Sequence, residues 1–375
     1  MIIFNEPLLL GTEQEYLNKV LDNGYFCGNG IFAGLCEDEL ARIFQAERVL
    51  ITSSATAAMS VAVELLAIEP GDEIILPSFA HVGTASAFAS HQANLIWCDI
   101  NPITRILDEN NLENLITNRT KAVIIVNYAG AASNITTIKE ICDRHSLLLI
   151  EDNAPGIGAS YQNRPLGSFG EMSVVSFHQT KNVHCGEGGA LIINSPRFCE
   201  DAQKIRDRGT DRKDFDEGKI KCWTWQTSGS NYFISEFQAA FLYAQLQELE
   251  KVNKHRIALY HRYLNLLKEN LPPACLPRIN PSSSHNGHCF SILTEGEIHR
   301  ADIIERLHQS GVQSAFHYQP LHKAPYWHGR YDKLKLPATE KVAQSILRLP
   351  MHYNLKPEDV DYICERVSVA FSSGK

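Results

Sequence analysis

The chain has 375 residues, 44% of them hydrophobic, which is enough to bury a large core and too long for one small domain. A net charge of −8 without any Lys/Arg run gives nothing for a nucleic acid or an anionic membrane surface to favour, so an anionic ligand has to be held by local donors. Ten cysteines without C-x-x-C or metal-like spacing read as reduced cytosolic thiols, with neither a metal site nor disulfides expected. The opening "MIIFNEPLLLGTEQEYL" lacks the basic start of a signal peptide, and no stretch approaches the ~18 apolar residues of a membrane span. The expected location is the cytoplasm.

Short apolar runs then alternate with helical patterns. The runs are "RVLIT" (48–52), "EIILP" (73–77), "NLIWCD" (94–99), "AVIIV" (122–126), "LLLIED" (147–152), "MSVVSF" (172–177) and "ALII" (190–193). Helical patterns such as "TAAMSVAVELLAI" (56–68) and "ITTIKEICDRH" (135–145) lie between them. This alternation predicts an α/β domain over 1–245, built on a mostly parallel seven-stranded sheet with helices on both faces. From Ser235, a plausible N-cap, the residues 235–270 read as one long helix entering a small α+β domain over 246–375. In that domain 288–294 and 313–318 read as strands, and 300–312, 339–349 and 356–371 as helices.

In open α/β sheets ligands gather beyond the carboxyl ends of the strands, and four elements of this chain lie there. Asp152 closes "LLLIED"; a carboxylate at a buried strand end needs a cation, such as a protonated pyridine nitrogen, although a helix cap or a salt bridge would also use it. Ser54, Ala55 and Thr56, between a strand and a helix, suit a phosphate at a helix N-terminus or form a plain N-cap. His81, beyond Pro77, offers a flat ring for stacking or is simply a backbone-bonded histidine. In "SFHQTKNVHCGEGGALI" (176–192), Ser176 is a second phosphate donor, and Lys181 is either a solvated loop lysine or an amine that reaches an aldehyde carbon. A phosphate cup, a ring stacker, an acid for a pyridine nitrogen and a lysine are together the contacts that pyridoxal 5′-phosphate (PLP) requires.

The motifs "GDEIILPSF", "IEDNAPGIGASY", "PLGSFG", "SFHQTKNVHCGEGGAL", "SNYFISEFQAA", "HYQPLH" and "ILRLPMHYNL" resemble those of the DegT/StrS-type sugar aminotransferases, a PLP family of fold type I, along almost the whole chain. The stretch "IRDRGTDRKDFDEGKIKCWTW" (205–225) is similar to that of the transaminases that convert dTDP-4-keto-6-deoxyglucose to a 4-amino-4,6-dideoxyhexose. The resemblance implies Lys181 as the Schiff-base lysine, Asp152 as partner of the pyridine nitrogen, and Ser176 with the Ala55 and Thr56 amides as phosphate ligands. It also implies a homodimer in which Asn231 reaches the neighbouring subunit's phosphate, and L-glutamate as amino donor. Trp225, Tyr232, His317, Tyr318 and His322 are candidates for the sugar-nucleotide mouth. A C3-specific or UDP-sugar aminotransferase and a non-catalytic PLP-binding relative stand as alternatives. Three positions depart from the family pattern: His81 where Trp, Phe or Tyr is usual, Pro155 where Gln or His is usual, and Ala55 where Gly or Cys is usual.

Overall fold

The computed structural model describes residues 1–132 and 134–372. Seven strands form the large sheet: β1 (Arg48–Thr52), β2 (Glu73–Pro77), β3 (Asn94–Cys98), β4 (Thr120–Val126), β5 (Leu148–Asp152), β6 (Met172–Ser176) and β7 (Gly189–Ile193). Their spatial order is β1-β7-β6-β5-β4-β2-β3. The pairs from β6 through β3 are parallel, and β7 runs antiparallel to both of its neighbours. The sheet is therefore mixed and mostly parallel, as the sequence predicts. β2, β6 and β7 are buried along their whole length, which explains why they read as continuous apolar runs rather than alternating ones.

Because β7 alone is reversed, the carboxyl ends of β1 through β6 share one edge of the sheet, and β7 begins there. Gly189 at that start pairs with Thr52 on one side and Ser176 on the other. The strand-end residues singled out above are thus neighbours in space.

The C-terminal part has its own apolar core, around Tyr263, Phe290, Leu347, Leu349, Ile363 and Val367. Its two-stranded sheet pairs β8 (Phe290–Leu293) with β9 (Ile346–Leu349) antiparallel. Helices Leu249–Leu267, Glu297–Gln309 and Pro357–Ser372 contribute buried residues to this core. Among the described residues, no helix is long and apolar enough to cross a membrane.

Three elements differ from the sequence expectation. The stretch 235–270 is two helices, Glu236–Leu246 and Leu249–Leu267, broken at Gln247 and Glu248. Leu242 and Leu246 of the first join a core of the large sheet, whereas Leu259, Tyr263 and Leu267 of the second join the C-terminal core, so the change of direction lets each half face its own core. Ser235 does cap the first helix, through a capping box with Gln238. The stretch 339–349 is not one helix: the helix Pro337–Ser345 stops, and β9 follows at once because it pairs with β8. Residues 313–318 make only an isolated bridge, Ala315 to Arg348, before the chain turns His317 and Tyr318 towards the sheet edge.

Candidate active site

A cleft of about 700 Å³ opens along the shared sheet edge, between the large sheet and the β8–β9 region. Ser54, Ala55, Thr56, His81, Asp152, Ser176, Lys181, His317 and Tyr318 all line it. Nine of the thirteen residues proposed from the sequence therefore meet in one place.

The reach of Lys181 comes from the hairpin between β6 and β7. The backbone closes this loop with Phe177 N to Gly188 O at 2.8 Å and Gln179 N to Gly186 O at 2.8 Å. Gly186 has φ +82°, a left-handed turn that glycine adopts without strain. The next residue fixes the tip from below: Asn182 Nδ2 donates to Asn253 Oδ1 at 2.7 Å and to Asn286 O at 2.9 Å. The Lys181 backbone N–H donates to His178 O at 2.9 Å, but its Nζ forms no hydrogen bond or ion pair among the described residues. Burial pushes its amine down to about 8; Asp152 acts in the opposite direction and the charge of Arg348 adds to the depression.

Asp152 is 6% exposed at the end of β5. Its Oδ2 accepts a 2.5 Å hydrogen bond from Thr84 Oγ1, and its Oδ1 accepts from Ala154 N at 3.1 Å. No cation is paired with it at contact distance among the described residues. Thr84, in the first turn of the helix Val82–Ser90, was not found by sequence reasoning. Its place three residues after His81 on one helix was the available signal.

At the other end of the cleft, Ser54 caps the helix Ala55–Leu65 through Ala57 N at 3.0 Å. Its side chain is thereby occupied, which leaves the Ala55 and Thr56 amides as the donors of the helix N-terminus. A Cβ on Gly189 would come within 2.3 Å of Ala55 N and of Ser54 C, so only glycine lets β7 pass so close beneath this turn. Ser176 Oγ faces the same space and accepts from His178 N at 3.3 Å.

His81 is an N-cap as well as a cleft residue. Its Nδ1 accepts from Gly83 N at 3.0 Å, and its ring meets Tyr318 edge-on with centroids 5.8 Å apart. Burial lowers its basicity. With Nδ1 engaged as an acceptor, the neutral ring carries its proton on Nε2. Pro155 supplies only its carbonyl, which accepts from Asn286 Nδ2 at 2.7 Å.

The other four candidates do not line this cleft. His322 is buried behind it, sharing a 2.7 Å hydrogen bond with Ser78 Oγ and facing Glu340, so its imidazole is spent on packing and is withdrawn as a substrate contact. Tyr232 gives its hydroxyl to Glu64 at 3.2 Å. Trp225 is 80% exposed, on the loop that follows helix Arg212–Asp216, and Asn231 is exposed nearby. Arg348 and His288 line the cleft and were missed. Arg348 falls in the stretch 339–349, whose helical pattern hides the alternation that turns it away from the core.

The donor set suits PLP. A buried carboxylate without a cation can hold a pyridinium, free helix amides and a hydroxyl can hold a phosphate, and an unpaired, weakly basic lysine can bond an aldehyde. The model of the DegT/DnrJ/EryC1/StrS aminotransferase family matches residues 9–368. Similar solved structures include the aminotransferase TlmJ from Streptoalloteichus hindustanus, with 26% identity and a TM-score of 0.92 over 100% of both chains. Helicobacter pylori PseC, an aminotransferase involved in the biosynthesis of pseudoaminic acid, has 26% identity and a TM-score of 0.89 over 99% of both chains. DesV from S. venezuelae has 28% identity and a TM-score of 0.88 over 95% of this chain and 93% of its own. With a family match running from end to end of the fold just described, this chain belongs to the DegT/DnrJ/EryC1/StrS aminotransferase family and is a PLP-dependent aminotransferase.

Proposed function

We propose that this protein moves the amino group of L-glutamate to a keto nucleotide sugar, with C4 of dTDP-4-keto-6-deoxyglucose as the acceptor, and that its product feeds cell-surface polysaccharide synthesis in the cytoplasm. The observation that carries the reading is the pairing in one cleft of an uncompensated Asp152 with a free, weakly basic Lys181. The loop 205–225 supports the choice of sugar by its resemblance to the dTDP-sugar 4-aminotransferases. The similarity to PseC supports sugar-linked amination in general.

When bound, PLP supplies an aldehyde that bonds the amino nitrogen and a pyridine ring that draws off the electrons left by proton loss. The chain does the rest. Asp152, oriented by Thr84 and Ala154 N, holds a proton on the ring nitrogen through its carboxylate. The Ala55 and Thr56 amides and Ser176 anchor the phosphate. Lys181 Nζ, once released, would take the proton from the donor's α-carbon and hand it to the former aldehyde carbon on the other side of the nitrogen; in the second half-reaction the same atom would work in reverse. An amine with pKa near 8 can act as both acid and base near neutral pH.

Asn231 and Trp225 lie outside this chain's own cleft, and we propose that they serve the site of a second copy in a homodimer. A C3-specific or UDP-linked acceptor would use the same catalytic residues. The test is a visible absorption spectrum of the protein with PLP, before and after L-glutamate. Wild type should be yellow and bleach on adding glutamate, and the Lys181→Ala variant should not. A panel of dTDP- and UDP-linked keto sugars then restores the yellow form only with the true acceptor. A colourless wild type would mean that His81 and Pro155 have abolished the cofactor site.

A further inference from the structure

Buried arginines in this fold are satisfied in recognisable ways. Arg206 meets the Glu37 carboxylate, Arg256 donates to the carbonyls of Gly287, His288 and Met351, and Arg300 donates to the Ala343 carbonyl. Arg105 is different. It is 4% exposed, on the loop between β3 and the helix Glu109–Leu112, and it pairs with no carboxylate among the described residues. Its Nη1 donates to Ser291 Oγ at 2.5 Å and to Ser291 O at 3.3 Å. Its Nε is buried without a partner, and its Nη2 makes no hydrogen bond among the described residues.

The backbone turns this side chain inward. Asn101 N donates to Ile106 O at 2.8 Å, and Arg105 N donates to Asn101 O at 2.7 Å. The turn sets Arg105 at φ +64°, a left-handed conformation that a residue with a side chain adopts only at a cost. Across from it, Phe290 and Ile292 of β8 enter the C-terminal core, so the alternation of the strand turns Ser291 towards the loop.

A cavity of about 30 Å³ lies beside the guanidinium, with room for one particle the size of a water molecule. Thr104 and Arg105 line it from the large domain, and Tyr260, Arg278, His285 and Ser291 line it from the small one. No Asp or Glu lines it among the described residues. The polar groups around it are mainly donors. The Tyr260 hydroxyl makes no hydrogen bond among the described residues. His285 Nδ1 accepts from Gly287 N at 3.1 Å, and burial pushes this ring down to about 4, so its proton sits on Nε2. Arg278, exposed and without an ion pair among the described residues, adds a second guanidinium. A desolvated cation is costly unless a counter-charge meets it. A water molecule could accept from two of these donors and would leave the charge in place, whereas an anion accepts from several and cancels it.

We propose that this cavity is a binding site for one small monovalent anion of the chloride class, held on the free Nε and Nη2 edge of Arg105. That edge is a planar pair of donors. Sulfate and phosphate, with four oxygens around a central atom, are too large for a space that admits one water-sized particle. The ion would tie the loop 101–105 of the large domain to the small domain. Tyr128, Ala129 and Cys289 line both this cavity and the catalytic cleft, so the clamp stands behind a shared wall. Its role is to hold the domain junction, and it takes no part in amino transfer.

The experiment uses the PLP-loaded enzyme, in which the phosphate cup is filled, and compares wild type with Arg105→Gln and Arg348→Met. The second variant removes the buried guanidinium of the catalytic cleft. Chloride binding is read from the broadening of the chloride NMR line, and stability from melts in gluconate and in chloride at equal ionic strength. Wild type should broaden the line, bromide should reverse the broadening and sulfate should not. Saturating chloride should raise its Tm by about 2–4 °C. Arg105→Gln should lose the Tm shift and about half or more of the broadening, and Arg348→Met should keep the shift. A wild type with neither broadening nor shift overturns the inference and leaves water in the cavity. Displacement by sulfate as readily as by bromide overturns it as well, since the space would not select by size. A shift lost in Arg348→Met and kept in Arg105→Gln places the ion in the catalytic cleft and also overturns it. If Arg105→Gln fails to fold, anomalous scattering from bromide in wild-type crystals carries the test. A bromide against Arg105 Nε upholds the site, and its absence there overturns it.

Discussion

Lys181 is held where its charged form is disfavoured. Its amine falls from an ordinary 10.5 to about 8 because it is surrounded by protein and shares the cleft with Arg348. The unfolded chain therefore binds this proton more tightly than the folded one, and stability at this site rises with pH between about 8 and 10.5. Below that window the whole penalty is present. Lys181→Met should accordingly stabilise the cofactor-free protein at pH 7, by on the order of 1–3 kcal/mol. The gain should shrink as the pH passes 8 and the wild-type amine loses its own proton. Thermal melts of both proteins at neutral and alkaline pH measure this directly. A gain of constant size across that range would mean that methionine packs better and that the charge is not the cause.

At the same scale, residues whose type and strand-end position agreed in the sequence are ones the fold places together. Asp152, Ser176 and Lys181 each stand just beyond an apolar run, and the fold brings them to one cleft. Type and position say too little at His322, which sits in an equally suggestive motif. The identity of a histidine does not say which way its ring faces, and this one faces Ser78. They say too little at Thr84 for the opposite reason. A threonine in an apolar helix has many uses, and only the fold shows that its hydroxyl meets Asp152.

Among the elements, the close pass of β7 beneath the helix Ala55–Leu65 constrains the phosphate end of the cleft more than any side chain does. Gly189 lies opposite both Thr52 and Ser176, and a methyl group there would overlap the backbone at Ser54 and Ala55. Backbone atoms cannot rotate out of the way as a side chain can. Gly189→Ala should therefore move the helix start away from the strand and shift the very amides proposed to hold the phosphate. Overpacking of this kind costs about 1–3 kcal/mol in stability. Affinity for PLP should fall by about tenfold or more, since charge-assisted hydrogen bonds are sensitive to geometry. Titration of the visible band against PLP reads the affinity, and a melt of the cofactor-free protein reads the stability. A variant that loses stability but binds PLP normally would separate the helix start from phosphate binding. The apolar runs of the large sheet were legible because strands buried on both faces leave continuous hydrophobic segments. The small domain was less legible. Residues 339–349 satisfy a helical pattern throughout, and only pairing with β8 makes the last four of them a strand. That misassignment concealed Arg348, whose place in the cleft depends on a period of two rather than of three and a half.

At the scale of the whole molecule, one cleft draws on both parts of the chain and leaves some expected ligands outside it. Asn231 follows a loop that lies across the surface, and Asn231 itself bridges to Asp207 rather than reaching the chain's own phosphate cup. Around it stand exposed aromatic and apolar residues, with Trp223 at 45%, Trp225 at 80% and Phe26 at 46%. If a second copy covers this face, each site combines Lys181 of one subunit with Asn231 of the other. The arrangement has a sharp consequence for mixtures. Lys181→Ala and Asn231→Ala dimers would each be impaired at both sites. A mixed dimer would carry one site with both residues intact and one site with neither. Random reassortment of two-fold dimers makes half of them mixed, so the mixture should recover about a quarter of the wild-type sites. The measurement is transamination by the two variants dissociated together and reassembled, against the same variants treated separately. Recovery requires the asparagine to act across the interface. If Asn231 served its own subunit, every mixed dimer would hold one singly damaged site of each kind, and mixing would add nothing to the average of the two variants.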